Sequence, residues 1–207
     1  MEFLLTITAL LFAVVIHEYA HGWVASKRGD QTARLAGRLS LNPLKHIDIV
    51  GMLIVPLALR LLNLMPIGWA KPVPVNFANL YNPKRDMILV AAAGPAVNFI
   101  AAILVSLVLK LIFLLQIKPG ALILVFCFYL IYLNLLLGVF NLMPIPPLDG
   151  SRIVFGLLPA PLAKIYIRFE PFGFLILIVL LNLGFLNFLD KIVSLLFAGL
   201  KLPLLPF

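Results

Sequence analysis

The residues in this 207-residue chain best placed to do chemistry are two histidines four apart with a glutamate beside the first: His17-Glu18-Tyr19-Ala20-His21. On a helix the two imidazoles lie one turn apart on one face. They supply half of a tetrahedral zinc site, and the adjacent carboxylate can serve as general base. In a soluble helix the pattern is often harmless, but here it follows an apolar run. Phe3–Ile16 has only Thr6 and Thr8 as hydroxyls, and Gly22-Trp23-Val24-Ala25 carries the run on to Lys27-Arg28. Residues 3–25 are long enough to cross a bilayer, which takes about 20 apolar residues. Ionisable groups at that depth cost roughly 3 kcal/mol or more unless paired, metal-bound or water-lined. A Zn2+ site therefore outweighs two packing histidines and a snorkelling glutamate.

A chain that is 63% hydrophobic with a mean hydropathy of +1.14 has more apolar surface than a soluble domain of this size can bury. It reads as a polytopic membrane protein with the lipid bilayer as partner. The net charge of +8 fits cationic loops on one side of a membrane. No basic-aromatic patch argues for nucleic acid, and no nucleic-acid partner is expected. Cys127 is the only cysteine, so neither a disulfide framework nor a thiolate metal site is available. Met1-Glu2 lacks the basic start of a cleavable leader, so 3–25 reads as a retained span.

The expected fold is all-α, a polytopic membrane helical bundle with about four full spans at 3–25, 87–115, 121–143 and 171–189. The whole of 1–207 reads as a single membrane-embedded domain. Residues 49–66 are apolar but carry Gly51, Pro56, Arg60 and Asn63, which suits a re-entrant or interfacial segment. Arg34 to Leu41 partly alternates, with Leu35, Leu39 and Leu41 on one side, a weak signal for a short membrane-associated β-loop broken by Gly37. Four prolines between 66 and 83 favour an extended path there. The tail 191–207 has only short apolar pieces and is expected at the interface.

A catalytic zinc takes three protein ligands and keeps one open position, so a third ligand is needed. His46, Asp48 and Asp149 are the remaining candidates near the bilayer. Asp149 ends a Pro-interrupted stretch after the third span that could fold back into the protein; its plainer reading is an Asp-Gly turn. Depth brings further residues together: His17 lies about 15 Å from Lys27 and Asn98 about 18 Å from Asp86 at the helical rise. For the ends of 3–25 and 121–143 and the start of 87–115 to meet, 49–66 must not cross. That topology puts twelve Lys and Arg on the shared side and four on the other. By the positive-inside rule the shared side, with the active site, is cytoplasmic.

His17-Glu18-x-x-His21, Gly94-Pro95-x-x-Asn98 and Asn141-x-x-Pro144-x-Pro146-x-Leu148-Asp149-Gly150 together resemble the site-2 protease family of intramembrane zinc metalloproteases. The likeness is to compact prokaryotic members without a PDZ-type domain. It implies His17, His21 and Asp149 as Zn2+ ligands and Glu18 as catalytic base, with Asn98 and Asn141 holding substrate or stabilising the oxyanion. The substrate would be a transmembrane protein or a signal-peptide remnant. Its helix must unwind to expose a peptide bond, and a strand near 34–41 or 72–76 could pair with the unwound backbone. Two other readings use the same residues. A zinc or proton transport pathway would need polar groups to continue through 3–16 and 100–109, where only Thr6, Thr8 and Ser106 are found. A zinc hydrolase of a non-peptide membrane substrate is the second.

Overall fold

A computed structural model describes residues 1–66 and 68–202. It is built of helices, and four helical stretches are long and apolar enough to cross a membrane: Glu2–Lys27, Pro83–Leu114, Ala121–Asn141 and Ala160–Asn182. Helix α1 (Glu2–Lys27) has no proline and no glycine before Gly22. Its end is a Schellman turn, in which the Asp30 amide donates to the Ala25 carbonyl and Gly29 takes φ +111°. Any side chain at Gly29 would also press on the Asn79 carbonyl, 2.9 Å from the added carbon.

The β-loop expected over 34–41 does not form. Thr32–Leu35 is instead one helical turn, α2, followed by irregular chain. Turn bonds from Arg38 and Leu39 to the Ala33 carbonyl, with Gly37 at φ +62°, curl the backbone. The three leucines consequently do not share a face: Leu39 packs on Gly22, while Leu35 and Leu41 are exposed.

A π-helical turn, Val50–Ile54, runs into α3 (Val55–Leu61). The two together reach about 18 Å, well short of the roughly 30 Å hydrocarbon core. Helix α4 (Pro83–Leu114) starts with proline at its first turn, where no amide partner is lost. The Asp86 carboxylate reaches back to accept the Asn82 amide at 2.9 Å. Helix α5 (Ala121–Asn141) returns antiparallel to α4 after a short turn. The chain then folds back on itself through Pro144–Pro147, and α6 (Asp149–Leu157) begins at the acidic residue. Gly150 permits this, because a side chain there would collide with the Leu142 carbonyl that ends α5.

Helices α7 (Ala160–Tyr166) and α8 (Gly173–Asn182) flank a 3-10 segment, Ile167–Phe172, and Gly184 at φ +88° separates α8 from α9 (Phe185–Gly199). The expected last span, 171–189, is therefore two helices broken at Leu183-Gly184. The tail, expected at the interface, packs against the bundle as far as it is described. Leu189 and Val193 of α9 are fully buried in one cluster with Ala102, Leu109, Ile131 and Leu135 of α4 and α5. Residues 203–207 of that tail lie outside the described residues.

Candidate metal centre

Helix α1 presents Ala9, Ala13, His17, His21 and Ala25, each four apart, as one buried stripe. The alanines let α4 approach closely, as small residues do between membrane helices. On α4 the facing stripe is Val90, Gly94 and Asn98, all buried. Gly94 lies directly under the histidine pair: a side chain there would collide with His21 Nε2 and come within 2.6 Å of His17 Nε2. The fold-back after α5 brings Asp149 to the same point.

His17 Nε2, His21 Nε2 and Asp149 Oδ2 form a triangle with sides of 3.0, 3.0 and 3.2 Å. The outer ring nitrogens fix the protonation of both histidines. His21 Nδ1 lies 2.7 Å from the Val90 carbonyl, which can only accept, so Nδ1 carries the proton. His17 Nδ1 lies 2.6 Å from Asn98 Oδ1. That atom is the amide oxygen, because Asn98 Nδ2 donates to the Ala13 carbonyl at 3.0 Å and to Asn134 Oδ1 at 2.7 Å. Both Nε2 atoms then turn bare lone pairs towards a carboxylate oxygen that is buried and accepts no hydrogen bond. Three converging lone pairs repel one another unless a cation lies between them. Ligands of a tetrahedral zinc stand about 3.3 Å apart at the usual 2.0–2.1 Å bond lengths, so the triangle fits the ion. Each imidazole also has the outer hydrogen bond that fixes a metal-binding tautomer.

Glu18, next to His17, points to a different neighbour. Its Oε2 accepts the Val73 amide at 2.7 Å, and Val73 packs its side chain on Gly22 of α1. Residues 70–82 thus form a strap over this side of the site. The Lys71 amide donates to the His46 carbonyl, and Arg38 Nη2 donates to the Lys71 carbonyl at 2.8 Å. Asp30, fully buried at the end of α1, accepts the Asn76 amide at 2.8 Å, Asn79 Nδ2 at 3.1 Å and the Thr32 amide and hydroxyl. Burial works against its charge, but the bonds from Thr32, Asn76 and Asn79 outweigh it and hold the carboxyl below the usual carboxylate range.

Of the expected site residues, His17, His21, Asp149 and Asn98 come together, with Glu18 on the strap side. Asn141 stays apart from this network and donates to the Leu137 carbonyl of its own helix at 3.0 Å. The two rival third ligands lie elsewhere: His46 Nε2 is bonded to the Ser40 carbonyl, and Asp48 caps the turn at Gly51. Asn98 was expected against substrate but has both amide protons and its oxygen engaged inside the protein. Sequence reasoning missed Asn134, which completes the Asn98 network; its only signal was an amide in the middle of an apolar span. It also missed the Val90 carbonyl, which no side-chain pattern encodes.

Comparison with known proteins agrees with these features. The profile of Peptidase family M50 matches residues 114–184. Three similar relatives carry the words zinc metalloprotease in their names. YwhC of Bacillus subtilis is 37% identical over 178 residues, 84% of this chain and 78% of that one. Rip2 of Mycolicibacterium smegmatis is 31% identical over 186 residues, 89% and 69% of the two chains. MJ0392 of Methanocaldococcus jannaschii is 30% identical over 149 residues, 72% of this chain and 33% of that one. No solved structure matches the chain.

Proposed function

Since the chain belongs to peptidase family M50, the site-2 proteases, and is an intramembrane zinc metalloprotease, we propose that His17, His21 and Asp149 hold its zinc and Glu18 is its general base. The observation that carries this assignment is the triangle of three lone pairs whose outer protons are already committed. The ion supplies a Lewis acid for the scissile carbonyl and makes a nucleophilic water available near neutral pH. Glu18 takes the proton of the attacking water and delivers it to the leaving amine, a task that needs hydrogen-bond reach to both. Its carboxylate, held by the Val73 amide, has a second oxygen left for that exchange. Asn98 orients His17 rather than touching substrate. Asn141 has one amide proton without a partner among the described residues and is the better candidate to meet substrate backbone.

The substrate is the membrane segment of a transmembrane protein or a signal-peptide remnant, unwound near the site. The strap, beside Glu18, is the surface against which that segment lies. The active site faces the cytoplasm, supported by the bias of Lys and Arg, twelve on the shared side against Lys110, Lys118 and Lys201 on the other. Residues 49–66 re-enter or lie at that surface, supported by the short helix Val50–Leu61, and 1–207 acts as one catalytic domain.

The test measures zinc content and cleavage of model transmembrane peptides by purified protein in detergent. The wild type should hold about one zinc per chain and cut. Glu18→Gln should keep the metal and lose about 10²- to 10⁴-fold in rate, whereas Asp149→Ala should lose the metal. Undiminished cleavage by Glu18→Gln would sink the base assignment, and full zinc in Asp149→Ala the third ligand.

A further inference from the structure

The outward face of α9 carries polar side chains at a depth where lipid would otherwise meet it. The helix runs antiparallel to α5. Phe197 lies beside Phe128, ring centroids 5.8 Å apart, and Asp190 lies beside Tyr132, whose hydroxyl donates to Oδ1 at 2.7 Å. At the other end Phe185 and Leu186 share a cluster with Phe140 and Met143. Tyr132 stands near the midpoint of α5, a strongly apolar span, so Asp190 stands near mid-bilayer. One face of α9 is core, with Leu189 and Val193 fully buried. The opposite face is Asn187, Lys191, Ser194 and Ala198, at the i, i+4, i+7, i+11 spacing of a helical stripe, with Asp190 along its edge, and all five are exposed. The Tyr132 hydroxyl satisfies one oxygen of Asp190. Among the described residues Lys191 has no hydrogen-bond or ion-pair partner, and neither has the second oxygen of Asp190.

Charged groups at this depth face a partner or a water-filled cavity, not acyl chains. We propose that a second copy of this chain docks on the stripe, the two α9 helices packing side by side about a two-fold axis along the membrane normal. A two-fold contact brings each patch against itself, so residues of equal depth meet. Asp190 then faces the partner subunit's Lys191, and the reciprocal pair closes the contact. The neighbouring charges make the patch complementary to its own copy, whereas a partner of other sequence would have to supply both signs at the same depth. Ser194 and Ala198 continue the stripe with residues small enough for two backbones to approach. Phe188 and Leu195, on the flank, stay against lipid.

The experiment reconstitutes the full chain in phosphatidylcholine bilayers and counts subunits by single-molecule photobleaching. Zinc content reports that each variant is folded. Wild type should be dimeric. Lys191→Asp, which sets four carboxylates together, should lose the dimer, and combining it with Asp190→Lys should restore it. In a Cys127→Ser background, Ser194→Cys should form an intersubunit disulfide and Phe188→Cys should not. A wild type that stays monomeric at every density, a Lys191→Asp variant as dimeric as wild type, or a disulfide at position 188 instead of 194 would each overturn the proposal.

Discussion

The histidine half of the centre and the strap beside it are held by different means. His17, His21, Asn98 and Asn134 project from three membrane helices whose own backbones are already satisfied. Their side chains bond to one another and to the carbonyls of Ala13 and Val90. The strap, residues 70–82, has almost no regular structure, so its backbone must find partners in side chains: Glu18 for Val73, Arg38 for Lys71, Asp30 for Asn76. In a membrane protein unpaired backbone is costly, and that need recruits loop-region charges such as Arg38 and Asp30. The lesson is a division of labour. Rigid helices fix the proposed ligands, and a few replaceable polar bonds fix the chain beside the proposed base.

The largest effects are expected at the helical half. Gly94→Ala drives a methyl group into both imidazoles, and the purified variant should lose stoichiometric zinc by metal analysis while keeping its helical content. Asn98→Leu removes the acceptor that fixes His17 and should weaken zinc about 10- to 100-fold in chelator competition. On the strap, Asp30→Ala should leave zinc untouched but cost about 1–3 kcal/mol of local stability, read as lost hydrogen-exchange protection at the Val73 and Asn76 amides. The sign with pH follows from Asp30 lying below the ordinary carboxylate range. Its contribution is complete above about pH 4 and drains as pH falls towards its own lower value. Wild-type protection should therefore fall in acid and that of Asp30→Ala should not. The smallest effect is expected at Arg152, whose partly exposed pair with Glu170 reaches the strap only through the Phe77 ring, 5.9 Å from the guanidinium. Arg152→Ala should cost about 1 kcal/mol and leave zinc content unchanged.

Much of the centre was legible because its signals were strong. A glutamate and two histidines inside an apolar run are too costly to be incidental, and Asn98 and Asp149 stood at matching depth. The three spans that carry the site were legible from length and hydropathy. What the sequence hid was backbone geometry. Leu35, Leu39 and Leu41 alternate on paper, but Gly37 and the turn bonds to Ala33 curl the chain so that only Leu39 reaches the core. The break at Gly184 was hidden because Asn182, Gly184 and Asn187 barely lower the hydropathy of an otherwise apolar stretch. The path of α9 was hidden because Asp190 and Lys191 make its outer face look like a surface helix. Val73 gave no signal at all, since its amide, not its side chain, meets Glu18.

Gly94 also limits how the helices that carry the centre can move. With no atom to spare between the α4 backbone and the two imidazoles, α1 and α4 cannot slide past each other without crushing the centre. The packing that closes the seam between them also sets a size limit: position 94 admits a hydrogen and nothing larger, because any carbon there competes with His17 and His21 for the same space.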